Sequence, residues 1–177
     1  MAYLTLSIDG PIDEERRTAI DRLVRHEGGS SVWRESERIG RSYALVELPD
    51  ESGAERIRTG SGAIVHDRAI VALALFPTVP EALPHLLEAL GGVGRPAGIL
   101  ACSSLAGGLV IEWDPATTRA GVVLAVADVE LERFASGRTA ELLSPLPPSL
   151  VASIAAEGLQ APQITAERIL EMRLGNL

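Results

Sequence analysis

Apolar and polar residues alternate from the start of the chain: Leu4, Leu6 and Ile8 fall on one side of an extended backbone, Tyr3, Thr5 and Ser7 on the other. A period of two marks a half-buried strand, so Ala2 to Ile8 reads as a first strand. Asp9-Gly10-Pro11 then supplies cap candidates and a proline suited to a first helical position, while Asp13, Glu14 and Glu15 favour the positive end of a helix. Ile12, Ala19, Ile20, Leu23 and Val24 form an apolar stripe at helical spacing, and Gly28-Gly29 closes it after Arg25 and His26. Two strands follow, Ser31 to Glu37 and Ser42 to Leu48, joined by a turn at Ile39-Gly40. A short helix from Asp50 to Arg58 with Ala54 and Ile57 inward precedes the Thr59-Gly60-Ser61-Gly62 loop. Ala69 to Phe76 is apolar throughout, as in a central strand buried on both faces. Residues 1–77 therefore predict a ferredoxin-like βαββαβ unit within an α+β fold.

A second pattern overlaps the first. From Ile70 the order is strand, helix Pro80 to Leu90, Gly91-Gly92, strand Gly98 to Leu105 and strand Gly108 to Trp113, which is βαββ again. Placing Leu4 on Val71, Pro11 on Pro80 and Gly28-Gly29 on Gly91-Gly92 matches punctuation and not residue identity, so the repeat is one of topology. It predicts two βαββ units in tandem sharing one mostly antiparallel sheet core. After the Asp114-Pro115 loop, the apolar run Val122 to Leu131 reads as a further strand. Past Phe134 the chain turns toward Ser, Pro and Ala, and two short helices are expected near Ser149 to Glu157 and Thr165 to Leu174. The organisation read from these shifts is a first unit at 1–77, a second α/β unit at 78–143 packed on the first, and a C-terminal helical segment at 144–177.

Composition removes chemistry more than it adds. The chain of 177 residues has no lysine, so all 16 basic residues are arginine, a bias that fits a GC-rich bacterial genome. Without lysine there is no Schiff-base nucleophile, no pyridoxal-phosphate anchor and no P-loop lysine. A formal charge of −8, spread over both halves, leaves no evident basic surface for nucleic acid. The C-terminal helix pair has helix-turn-helix lengths, but Glu167 and Glu171 offset Arg168 and Arg173 on its supposed recognition helix. Cys102 is the one cysteine, and His26, His66 and His85 lie in no ligand motif, so no metal and no cofactor is expected. Gly91-Gly92-Val93-Gly94 follows a helix and is not a phosphate loop. The N-terminus lacks a signal-peptide pattern and no segment is apolar enough to span a bilayer, which points to a cytoplasmic protein without membrane contact.

The remaining candidates are few. His66-Asp67-Arg68 offers an imidazole and a carboxylate ahead of the buried strand, although neighbours on a strand point to opposite faces. Trp33-Arg34-Glu35 and Glu112-Trp113-Asp114 hold both tryptophans with charged neighbours, as a wall for a small organic ligand or as a plug at a sheet end or a subunit contact. Cys102-Ser103-Ser104 lacks a nucleophile elbow and sits in an apolar strand, where a cysteine is normally a small buried hydrophobe. The expected catalytic set is His66, Asp67, Glu35 and Asp114, with Trp33, Glu112 and Trp113 binding a ligand. The function expected is binding of a small organic molecule by a homo-oligomer, extending to cofactor-independent acid–base catalysis of isomerase or cyclase type. The alternative is a non-catalytic interaction module, favoured by a mean hydropathy of +0.19.

Overall fold

The structure is a computed structural model that describes residues 1–134, 138–156 and 171–173. The α+β expectation holds. The chain divides into two compact units, one of Met1–Ile70 with Leu143–Pro145, the other of Val71–Leu142 and the described residues from Leu146 onward.

In the first unit, β1 (Ala2–Asp9), α1 (Glu14–His26), β2 (Ser30–Ser36), β3 (Arg41–Leu48), α2 (Ala54–Gly60) and β4 (Ile64–His66) follow in order. Their strands make one antiparallel sheet in the order β2-β3-β1-β4. Leu4, Leu6 and Ile8 turn to the helix side, where they meet Ile20 and Val24 of α1, Ala54 and Ile57 of α2, and Ala44, Val46 and Leu48 of β3. The cap of α1 is Asp13, whose carboxylate accepts the Arg16 amide at 2.7 Å, so the helix begins later than Pro11 suggested. Gly28, at φ +74°, reverses the chain after α1, and the Gly29 amide returns to the Val24 carbonyl at 3.0 Å.

The second unit runs through β5 (Val71–Pro77), α3 (Ala82–Gly91), β6 (Ile99–Leu105), β7 (Gly108–Trp113), α4 (Ala120–Glu132), β8 (Arg138–Leu142), α5 (Pro148–Ala156) and β9 (Glu171–Arg173). Its sheet order is β6-β7-β5-β8-β9, again antiparallel. Through β8 this repeats the neighbour order of the first sheet. Val71, Leu73, Leu75, Leu109, Ile111 and Trp113 pack with Ala82, Leu86 and Leu90 of α3 and with Ala120, Val123, Ala127 and Leu131 of α4.

Several expectations are corrected. The apolar strand at Ala69 to Phe76 does not close the first sheet: it is β5 and opens the second, while the three-residue β4 closes the first. Each sheet has its own apolar cluster on its helix side. The run Val122 to Leu131 is helix α4, because its buried positions recur at helical spacing and its alanines favour helix. The strand that does follow is β8. Of the helix expected over Thr165 to Leu174, Glu171–Arg173 is strand β9 and the rest lies outside the described residues. The helix expected from Ser149 is α5. No helix among the described residues is long and apolar enough to cross a membrane.

The segment leaving the first unit is fastened by hydroxyls. Thr5 donates to the Arg68 carbonyl at 2.9 Å and accepts the Ile70 amide at 3.2 Å, and Ser144 donates to the Ile70 carbonyl at 3.0 Å.

Candidate functional site

Strand alternation gives the first sheet two unlike faces. The side away from α1 and α2 carries Thr5 and Ser7 of β1, Arg41, Tyr43 and Leu45 of β3, Val32, Arg34 and Ser36 of β2, and His66 of β4. Register sorts them into rows. Ser7 lies opposite Tyr43, and Tyr43 opposite Arg34, so a hydroxyl, a phenol and a guanidinium follow one another across three strands. At about 4.8 Å between strands, the row spans about 10 Å. His66 stands opposite Thr5 in the next row, a diagonal of about 7–8 Å from Ser7.

The middle of this face is buried, with Thr5 and Tyr43 fully covered, Ser7 and Ser36 nearly so and Arg34 9% exposed, whereas Val32 and Ile64 towards its edges are exposed. Burial holds the Arg34 guanidinium below its ordinary value, because removing water disfavours its charge. Arg41 feels the same desolvation, but Tyr43 and Asp9 outweigh it and raise the guanidinium. Its Nε and Nη2 donate to one Asp9 oxygen at 3.0 and 2.7 Å. Charged and hydroxyl groups thus neighbour one another on this side of the sheet.

Of the expected catalytic and ligand-binding residues, His66 falls on this face, as does Arg34 from the Trp33-Arg34-Glu35 motif. Asp67 is drawn away by Arg58, whose Nε and Nη2 reach Asp67 Oδ1 at 2.9 and 2.6 Å while Nη1 holds Glu55 at 2.6 Å. The Asp67 carboxylate is thus committed to Arg58 through Oδ1. Trp33 and Glu35 lie on the helix side. The Trp33 indole donates to Asp21 Oδ1 at 2.7 Å, Ser31 donates to the same oxygen at 2.5 Å, and the Arg17 guanidinium lies 5.8 Å from the ring centroid. That contact fastens β2 to α1.

In the second unit, Glu112 and Trp113 also part. Trp113 is wholly buried on the helix side, with no hydrogen-bond partner for its Nε1, whereas Glu112 faces the other way beside Ala72. Glu141 of β8 joins Glu112 on that face, opposite Ala74, so two buried carboxylates flank β5. Asp114 organises the turn into α4: its carboxylate accepts the Ala116 amide at 3.0 Å and the Thr117 hydroxyl at 2.9 Å, and its carbonyl accepts the Thr117 and Thr118 amides. Cys102 packs against Gly91, and burial pushes its thiol up to about 11. Exposed His85 lies 5.4 Å from the Phe134 ring. Among the described residues no three His, Cys, Asp or Glu side chains group to hold a metal ion.

Sequence reasoning gives no role to Ser7, Tyr43, Arg41 or Glu141, and treats Arg34 only as a charged neighbour of Trp33. A signal existed for Ser7, since the alternation of β1 had already put Thr5 and Ser7 opposite the core side. What it lacked was the pairing register, which alone brings Tyr43 and Arg34 beside them.

No protein-family model and no curated protein matches the chain. A solved structure of an unknown protein from Galdieria sulphuraria is similar at 13% identity over 80% of this chain and 97% of that one, with a TM-score of 0.31, too low to bear on fold or function.

Proposed function

We propose that this is a cytoplasmic bacterial protein that binds a small organic acid on the polar face of its first sheet, with His66 as a proton-transfer group. The reading adds a cofactor-independent isomerase or cyclase activity to binding. One observation carries it: Ser7, Tyr43 and Arg34 form a continuous row, and half-buried His66 lies one row away on the same face. Arginine suits a planar carboxylate, the two hydroxyls suit a neighbouring carbonyl or hydroxyl, and an imidazole is the side chain best matched to proton transfer near neutral pH. We read both sheets as ferredoxin-like, a reading supported by the strand order β2-β3-β1-β4 and its recurrence as β6-β7-β5-β8.

The test is a thermal-shift screen of small hydroxy, keto and unsaturated acids beside their amides, since a ligand that binds only the native state raises its melting temperature. Acids should stabilise the protein more than matched amides, and Tyr43→Phe and Ser7→Ala should reduce the shift. For a ligand found this way, His66→Gln should retain binding and lose exchange of the ligand's α-proton with deuterated water. Equal response to acids and amides would overturn the binding reading, and undiminished exchange in the His66 variant the catalytic one.

A further inference from the structure

We propose that α4 is the surface through which two copies of this chain associate, its outer face lying antiparallel against the same face of a second copy. Ala120, Val123, Ala127 and Leu131 form the buried side of the helix. A helix with one buried side ordinarily turns polar residues outward. Here the outer side carries Val122, Ala125 and Val129 at i, i+3 and i+7, with Val122 47% and Val129 57% exposed. No charged residue occurs between Arg119 and Asp128.

The charges at the ends identify the occupant. Arg119 stands at the N-cap with no acid in the first turn, whereas Glu130 and Glu132 crowd the last turn, where among the described residues the capping Arg133 answers Glu130, at 3.1 Å. A cation at the positive end of a helix and carboxylates at the negative end are both placed against the helix dipole. An antiparallel second α4 reverses the situation, because each Arg119 end then lies beside the other copy's Glu130–Glu132 end and the two dipoles oppose. An unrelated helix with ordinary end charges would set its basic end against Arg119 if antiparallel, and would align its dipole with that of α4 if parallel. The same helix in a second copy satisfies charge and dipole together, as an isologous two-fold contact requires. Val122 of each copy then falls opposite Val129 of the other, with Ala125 near the axis. The stripe is about 10 Å long at 1.5 Å per residue, so the contact belongs with small, reversible interfaces.

Sedimentation velocity on the full chain from about 1 μM to about 1 mM tests this over the affinity range of such contacts. The expected result is a monomer–dimer equilibrium that weakens in high salt and weakens at least tenfold with Val122→Asp or Val129→Asp. Arg119→Glu should weaken it too, and adding Glu132→Arg should recover the loss. In a Cys102→Ser background, Ala125→Cys should form a disulfide-linked dimer on mild oxidation. These positions are exposed, and unchanged circular dichroism and melting would show that each variant folds. A wild-type chain that stays monomeric at the highest concentration would overturn the proposal. So would a dimer indifferent to both aspartate substitutions.

Discussion

Trp33 and Asp21 join β2 to α1 through a 2.7 Å hydrogen bond from the indole N–H, on a carboxylate oxygen that also accepts from Ser31. Replacing Asp21 with Ala leaves two donors without their acceptor at a half-buried position. The expected loss is about 1–3 kcal/mol, as for an orphaned polar group. Urea unfolding measures it, and Asp21→Asn, which keeps an acceptor, should lose less.

Glu27 supplies a pH dependence with a definite sign. Hydrogen bonds from Arg56 and then from His26 lower its carboxyl from 4.5 to about 2. A carboxylate held below its unfolded value adds stability that is fully present above about pH 4.5 and is lost as pH falls toward 2. Glu27→Gln should therefore be less stable than wild type at neutral pH, and the gap should close between those two pH values in melting experiments.

Gly98 and Gly40 separate two costs of a side chain at positive φ. Gly40, at φ +67°, has nothing within 4 Å of an added Cβ, so alanine there meets only the backbone penalty, about 1–2 kcal/mol. At Gly98, φ +85°, the same Cβ would lie 2.7 Å from Thr117 Cβ and 2.9 Å from Thr118 Oγ1, in the turn that Asp114 organises. Gly98→Ala should be the more destabilising of the two by chemical denaturation, and equal losses would argue against that tight approach.

Cys102 should be a slow nucleophile in the folded chain. Its thiol stands at about 11 against an ordinary 9.0, which lowers the thiolate fraction at pH 8 by about two orders of magnitude. Iodoacetamide labelling should be slow in buffer and rapid in denaturant. Fast native labelling would contradict the burial.

How far the sequence speaks depends on how much of an element's pattern lies within the element. β1 and α1 were legible because seven or more residues repeat a period of two or 3.6, and the Gly28-Gly29 stop is local chemistry. α4 was not, because Val122, Leu124, Val126 and Val129 put apolar groups outside the buried stripe and blur its period. β4 has only three residues, too few for any period, so the pattern points instead to the next apolar run as the closing strand. The candidate site was harder still. Ser7, Tyr43 and Arg34 are scattered through the first 43 residues, and only hydrogen-bonded register aligns them. His66 and Asp67 stand out in the sequence as an imidazole and a carboxylate ahead of an apolar strand, but only the structure places His66 at the end of β4 and Asp67 beyond it, bonded to Arg58.

The hydroxyl fastening of Ile70 bears on the order in which the molecule is made. Thr5 and Ile70 are both present once the first 70 residues have been synthesised, so the amide half of the latch can close early. The carbonyl half waits for Ser144, which returns to the first unit only after all of Val71–Leu142 has emerged. A nascent chain can thus build its first sheet during translation, yet that unit receives this tie only from a residue made after β8, the fourth strand of the second sheet to be synthesised.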